Sequence, residues 1–107
     1  MAWSVNGTAL SFCEGDYGIE LPVTVNGVTL GSSDCIRFTF KDGLNGSTIL
    51  EKDFDSISQN TVNLVLTDAE SELFGVGRYV YSLDWYQDGN FMCNIISSSP
   101  LKVVDKA

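Results

Sequence analysis

The sequence predicts an all-β protein: a single antiparallel β-sandwich or small barrel with one short helical turn near residues 67–73. Apolar and polar residues alternate over several short stretches, which is the period of a half-buried strand. Turn-forming residues separate these stretches about every 8–12 positions, a spacing typical of sandwiches. The helical signal is Thr67 followed three positions later by Glu70, the pattern of a capping box.

The first predicted strands lie on either side of an Asn-Gly pair. Residues 19–25 and 28–30 flank Asn26 and Gly27, the dipeptide favoured in two-residue hairpin turns, so we expect a hairpin there. Pro22 has no amide donor, which predicts an edge position or a bulge for the first strand.

Three further strands are predicted before the helical turn and after the hairpin. They cover residues 35–41, 48–54 and 61–66. In the first of them, Ile36, Phe38 and Phe40 share one face, which we expect to point into the core. In the last, the apolar residues again fall on alternate positions, and we expect Leu64 to be buried.

In the second half of the chain, the sequence predicts two antiparallel strands joined by a tight turn. Residues 78–86 alternate, and the turn at Asp88-Gly89 leads to a strand over 91–96. A loop over 97–100 precedes the closing strand 101–104. The aromatic residues on the face of Leu83 are assigned mainly to packing; they are Tyr79, Tyr81 and Trp85.

Length and composition indicate one globular domain over residues 1–107. Apolar residues make up 44% and aromatic residues 11% of the chain, more than a disordered acidic chain carries. The formal net charge is −8, with the acidic residues spread along the sequence. Such a surface repels nucleic-acid phosphates and anionic lipid, so we expect no nucleic-acid partner and no membrane insertion.

The beginning of the sequence bears on localisation. Residues 1–7 lack a basic leader and an apolar segment, so we expect no secretory signal peptide. No run approaches the roughly 18 apolar residues of a membrane span. We therefore expect synthesis and folding in the cytoplasm.

Three cysteines are widely spaced: Cys13, Cys35 and Cys93. An odd count argues against a disulfide framework, and free cysteine is among the most buried residue types. Buried thiols are the favoured interpretation, with a Cys13–Cys35 bridge or a reactive thiol as alternatives.

The residue types argue against catalysis and against a cofactor. Histidine is absent from the sequence, and no serine lies in a Gly-x-Ser-x-Gly pattern. Glycoside hydrolysis requires two carboxylates, and the candidates Asp84 and Asp88 lie near Trp85 and Tyr86. Outward and turn carboxylates are usually only solvated. A calcium site from Asp34, Asp53 and Asp55 lacks the spaced, glycine-containing loop of such sites. We expect no enzyme activity, no cofactor and no metal.

Aromatic residues outside the core are the candidates for binding, since tyrosine and tryptophan are enriched at protein contacts. Tyr86 and Trp3 are the better interface candidates because they lie off the Leu83 face. A carbohydrate-binding site would use the set Trp85, Tyr86, Asp88 and Asn90.

The order of motifs along residues 14–104 resembles a known family. These motifs are Glu14-Gly15-Asp16, residues 21–27, residues 36–41, the segment 64–70, residues 77–85 and the closing residues 101–104. They resemble the small immunoglobulin-like domain at the N-terminus of phage baseplate upper proteins and related tail and virion β-sandwiches. Residues 1–13 form an additional strand-like segment outside this pattern.

The resemblance implies a fold and a role. The fold would be an immunoglobulin-like antiparallel β-sandwich. The role would be a non-enzymatic structural component of a phage or prophage tail or baseplate, acting through protein–protein contacts, with a carbohydrate- or cell-surface-binding module as the alternative. Its partners would be other tail or baseplate proteins, with a homo-oligomer as a further option. Its location would be the host cytoplasm during assembly and then the virion.

Overall fold

The chain forms two β-sheets that enclose one apolar core. In a computed structural model of the chain, residues 3–27, 29–43, 46–55, 57 and 60–105 are described. The described strands are β1 (Ser4–Asn6), β2 (Ala9–Cys13), β3 (Leu21–Thr24), β4 (Asp34–Lys41), β5 (Thr48–Asp55), β6 (Thr61–Leu64), β7 (Gly77–Gln87) and β8 (Asn90–Val104). The helical turn α1 (Asp68–Ser71) lies between β6 and β7. The prediction of an all-β sandwich with one helical turn is confirmed.

The large sheet has the strand order β1-β2-β8-β7-β4-β5, and the small sheet pairs β3 with β6. Neighbouring strands are antiparallel except β2 and β8, which run parallel with Leu10 opposite Leu101. The prediction of a purely antiparallel sandwich is therefore wrong at this pair. The segment 1–13, left outside the family pattern, supplies both β1 and β2.

The strand order can be compared with that of variable-type immunoglobulin sandwiches. The run β8-β7-β4-β5, with β3 and β6 in the second sheet, has the same order as strands G, F, C and C′ with B and E in that type. At the start of β7, the Tyr79 hydroxyl donates to the carbonyl oxygen of Gly75 at 2.8 Å. This hydrogen bond has the same form as the tyrosine corner described for immunoglobulin sandwiches.

The core lies between the small sheet and the inner face of the large sheet. The alternation of β4 buries Ile36, Phe38 and Phe40 almost completely, and Leu64 of β6 is fully buried against them. Phe74, after α1, meets Phe40 edge-on at 5.7 Å. The predicted inward face of β4 is confirmed.

The N-terminal strands are tied to the core by polar groups. The Tyr81 hydroxyl donates to the carbonyl oxygen of Thr8, and the Ser99 hydroxyl donates to Thr8 Oγ1 at 2.7 Å. Because these bonds are partly buried, they hold the turn between β1 and β2 against β7 and β8.

The helical turn is capped as predicted. Glu70 N donates to Thr67 Oγ1 at 3.2 Å, and Thr67 N donates to Glu70 Oε1 at 2.9 Å. Glu70 Oε1 also accepts from Lys52 Nζ at 2.6 Å, and the same ammonium donates to the carbonyl oxygen of Val65. Lys52 lies on the inner face of β5, so this ion pair connects the large sheet to the turn. The helix found in the described residues has four members, far short of a membrane span.

Two predicted connections are wrong. The Asn26-Gly27 hairpin does not form, because β3 pairs with β6, with Leu21 opposite Leu64; Val28 lies outside the described residues. Pro22 nevertheless lies on an edge strand, as predicted. The predicted loop 97–100 is part of the long strand β8, whose register with β7 shifts near Ser98, where φ is +43°.

Candidate functional site: the outer face of the large sheet

The candidate site lies on the face of the large sheet that points away from the core. Because side chains alternate along a strand, the neighbours of Ile36 and Phe38 on β4 point outward. Residues directly opposite on adjacent strands share a face. The register therefore places Tyr86 of β7 beside Cys35 of β4 and Phe91 of β8 beside Tyr86.

Four side chains form a continuous contact across four strands, which we call the outer-face ladder: Asp53, Arg37, Tyr86 and Phe91. Arg37 Nε and Nη2 donate to the two carboxylate oxygens of Asp53 at 2.8 and 3.2 Å. The guanidinium carbon lies 4.6 Å from the centre of the Tyr86 ring. The Tyr86 and Phe91 rings meet edge-on at 5.7 Å. Each side chain thus restricts its neighbour, and the ladder is ordered before any partner binds.

Beside the ladder is a concave surface of about 380 Å³. It is lined by Ser32, Ser33, Asp34, Cys35, Arg37, Asp53, Asp55, Tyr86 and Gly89. Phe91 and Met92 lie at the end of the ladder and are 58% and 43% exposed. A polar hollow next to exposed apolar side chains resembles the arrangement of polar and apolar parts in protein interfaces.

The hydrogen bonds of Arg37 stabilise the charged form of its guanidinium. Its hydrogen bonds to Asp53 raise the pKa of the guanidinium, and burial opposes this rise only partly. A bidentate pair of this kind also fixes the orientation of the guanidinium plane. Arg37 is therefore a rigid cation above Tyr86.

The Cys35 thiol faces the same hollow but is not activated. Burial, followed by the hydrogen bond to Asp55 and the negative charges of Asp53 and Asp55, raises the pKa of Cys35 to about 11. The thiolate is the nucleophilic form of cysteine, and the raised pKa keeps this side chain in its thiol form at neutral pH.

Asp34 anchors the wall of the hollow. The carboxylate is 4% exposed and accepts from Trp85 Nε1 at 2.8 Å, from Gly31 N at 2.7 Å and from Gln87 Nε2 at 3.2 Å. The hydrogen bond from Trp85, and then that from Gly31, lower the pKa of Asp34 despite its burial. The carboxylate therefore joins the turn before β4 to the end of β7.

The structure separates the residues of the predicted carbohydrate set. Trp85 points to the inner side of β7 and packs against the core, whereas its neighbour Tyr86 points outward. Asp88 and Asn90 are exposed in and just after the β7–β8 turn, and Asp88 N donates to the carbonyl oxygen of Ser33. Tyr86 is thus brought to Arg37 and Phe91 rather than to Trp85.

The other interface candidate, Trp3, lies against the core. Its ring packs on Phe12 with centroids 5.0 Å apart, and its Nε1 donates to the carbonyl oxygen of Ile19 at 3.0 Å. The indole is half-buried. Its role in this structure is to hold the loop before β3.

The acidic candidates are mostly hydrogen-bonded. Asp84 lies on the outer face and accepts from Asn94 Nδ2 at 2.7 Å. Asp53 is paired with Arg37, and Asp34 is enclosed by donors. Among the described residues, no three His, Cys, Asp or Glu side chains are arranged to hold a metal ion.

The cysteines are free thiols in three different settings. Cys13 is buried, Cys35 is half-buried and Cys93 is exposed. The expectation of three buried thiols is therefore wrong for the exposed Cys93 and is met only in part by Cys35. The alternative Cys13–Cys35 bridge does not form.

Sequence reasoning found Tyr86 but missed Arg37 and Asp53 as members of the site. Each lies at an outward strand position, which the alternation alone describes as solvated. The missing information is the register of β4 with β5 and β7, which brings the three side chains together. No family model, curated protein or solved structure matches this chain.

Proposed function

We propose that the protein is a non-enzymatic structural component of a phage or prophage tail or baseplate that binds its partners through the outer-face ladder. The observation that supports protein binding is the ladder itself. Its exposed apolar end, Phe91, packs on Tyr86, and Tyr86 in turn contacts Arg37, which is hydrogen-bonded to Asp53. The tail assignment is supported by the resemblance over residues 14–104.

The chemistry of the ladder suits protein recognition. Tyrosine and arginine are enriched among the residues that dominate binding energy at interfaces. Tyr86 and Arg37 are already oriented by their neighbours, so binding costs less conformational entropy than ordering free side chains would. The exposed ring of Phe91 supplies apolar area to bury against a partner.

Sedimentation with candidate partners tests this function. The purified protein is mixed at micromolar concentration with the proteins encoded by neighbouring genes, and complexes are separated by velocity sedimentation. We expect a complex with at least one of them, and a loss of about tenfold or more in affinity for the double variant Tyr86→Ala/Phe91→Ala.

Tyr17→Ala is the matched control. Tyr17 is 54% exposed and lies in the loop between β2 and β3, off the outer face. This variant should bind like the unmodified protein. Equal losses in both variants, or no complex with any neighbouring protein, would count against the proposed function.

A carbohydrate-binding role is the second candidate. It is favoured by the exposed Asp88 and Asn90, which lie in and next to the turn that joins the Tyr86 and Phe91 strands. A strict monomer that captures no neighbouring protein, yet binds a glycan on an array and loses it in Tyr86→Ala/Phe91→Ala, would establish this role instead.

A further inference from the structure

The outer face of the large sheet is electrically polarised along its strands. Thr39 and Ser82 lie opposite each other at its middle. Towards the β7–β8 turn, the strands place three carboxylates against one guanidinium: Asp53, Asp55 and Asp84 against Arg37. Towards the other end they place three cations: Lys41, Arg78 and Lys102. We call the region near the β7–β8 turn the acidic half and the region at the other end the basic half. Glu51 lies beside the middle of the face, on the edge strand β5.

The cations of the basic half have no ion-pair partner in the part of the chain that the structure describes. Arg78 and Lys102 are directly opposite on β7 and β8 and are both exposed. Neither they nor Lys41 forms an ion pair with the described residues, whereas Arg37 and Lys52 do. Like charges directly opposite on adjacent strands are destabilising. In a chain of net charge −8, cations collected in this way point to an acidic partner surface.

The two halves are placed symmetrically. Ser82 is four residues from Arg78 in one direction and four residues from Tyr86 in the other. At roughly 3.3 Å per residue, the basic cations and the aromatic end of the ladder each lie about 13 Å from the middle. The middle itself carries the small side chains of Thr39 and Ser82, which permit close approach of a second sheet.

We propose that a second copy of this chain packs on this face, with the two outer faces in contact. The two-fold axis lies in the plane of the interface, perpendicular to the strands, and passes near Ser82. Such an axis reverses the strand direction and lays the basic half of each copy over the acidic half of the other. This inference rests on the proposed function, because it names the partner at the outer-face ladder.

A second copy fits better than an unrelated acidic partner because both complementary halves occur on one surface. A two-fold contact is self-complementary, so each dimer makes the favourable contact twice and leaves no open end. Arg78 and Lys102 would approach Tyr86 and Phe91 as well as Asp84, which adds cation–π attraction to the charge pairing. An axis along the strands would instead place acidic half on acidic half.

The area of the face is adequate. The face is formed by four strands of at least eight residues and by the shorter β1 and β2, of three and five residues. With strands about 4.8 Å apart, this gives a projected area on the order of 600 Å². The accessible area of side chains exceeds the projection, so the face approaches the roughly 800 Å² per partner of a standard interface.

Charge reversal tests the dimer. Sedimentation equilibrium is run at about 0.15 M salt, where the Debye length is about 8 Å, so contacting groups interact while the general repulsion is damped. We expect a dimer for the unmodified protein and at least about tenfold weaker association for Asp55→Lys/Asp84→Lys and for Arg78→Glu/Lys102→Glu. The control Glu20→Lys/Glu72→Lys makes the same change in net charge as the first variant, outside the large sheet, and should dimerise.

Mixing the two outer-face variants gives the sharper result. The outer face of Asp55→Lys/Asp84→Lys is basic, and that of Arg78→Glu/Lys102→Glu is acidic. Each variant should therefore be monomeric alone, and the mixture should form a heterodimer. Circular dichroism confirms folding; if a double variant misfolds, the single variants Asp84→Lys and Lys102→Glu replace it. A monomeric unmodified protein at about 100 μM, a dimer unaffected by both reversals, or an open-ended polymer would overturn the inference.

The same preparations separate this inference from the proposed function. A monomer that still captures a neighbouring tail protein through Tyr86 and Phe91 would refute the two-fold dimer and leave the proposed function standing. A dimer that shows the charge-swap rescue, when neither the dimer nor the monomeric charge variants capture a neighbouring protein, would support the dimer and count against the tail role.

Discussion

The two faces of the large sheet are built from the same strands but are held by different interactions. On the inner face, Ile36, Phe38 and Phe40 are at most 1% exposed and pack against the small sheet. On the outer face of the same strand, Arg37 and Lys41 remain partly exposed, and Arg37 lies between the carboxylates of Asp53 and Asp84. Apolar burial therefore determines stability on one side, and charge and ring contacts prepare the other side for a partner.

The exceptions on each face are informative. Lys52 is a cation on the inner face, and it is tolerated because Glu70 and the carbonyl oxygen of Val65 accept from its ammonium. Phe91 is an apolar ring on the outer side that contacts Tyr86 and is still 58% exposed. The charge of Lys52 is therefore compensated within the fold, whereas the exposed ring of Phe91 is available to contact a partner.

The largest expected contrast is between two phenylalanines. Phe38→Ala leaves a cavity in the core and should lower the free energy of unfolding by about 3–5 kcal/mol. Phe91→Ala removes an exposed ring and should change it by less than about 0.5 kcal/mol. Urea denaturation of both variants measures the difference. Similar losses in the two variants would show that the faces are not distinguished by burial.

The second contrast concerns the inner-face cation. Lys52→Met leaves the Glu70 carboxylate without its cation, in a setting where the two side chains are 14% and 24% exposed. We expect a loss of about 1–2 kcal/mol in the free energy of unfolding, because a charged hydrogen bond is removed from a partly buried site. Lys41→Met, on the outer face, is the control and should be nearly neutral. A neutral Lys52→Met would mean that the pair contributes nothing to the link between sheet and turn.

A smaller effect is expected from the tyrosine hydroxyls of β7. Tyr79→Phe loses the hydrogen bond to the carbonyl oxygen of Gly75 and should cost about 0.5–1.5 kcal/mol. Tyr86→Phe keeps the ring in the ladder and should leave thermal stability unchanged. The two melting temperatures, measured side by side, check this, and a larger loss in Tyr86→Phe would contradict it.

The smallest expected effect is on the pH dependence of stability. Burial raises the pKa of Glu70, but the hydrogen bonds from Lys52 and Thr67 outweigh it, so the pKa is lowered from its ordinary value of 4.5. Its contribution to stability is therefore present above about pH 4.5 and is lost as the pH falls through the folded-state pKa. Chemical denaturation at pH 7 and in steps below pH 4.5 should show a smaller acid loss for Lys52→Met than for the unmodified protein. Identical acid losses would refute this linkage.

Local patterns in the sequence determined a large part of the fold. The alternation in residues 35–41 identified the buried face of β4, and the spacing of Thr67 and Glu70 identified α1 with its capping box. Both features depend on residues within a few positions of one another. The buried face of β4 is therefore determined by strand periodicity, and the capped turn α1 is determined by hydrogen bonds to nearby backbone groups.

The tertiary structure decided which strands become neighbours. Asn26-Gly27 has the local preference for a hairpin, yet β3 pairs with β6, about 40 residues away, because this pairing closes the core over Leu64. The parallel pairing of β2 with β8 and the continuity of β8 through residues 97–100 have the same origin. The outer-face ladder was beyond local reasoning for this reason too: its members come from four strands, and only the register set by packing brings Asp53, Arg37 and Tyr86 into contact.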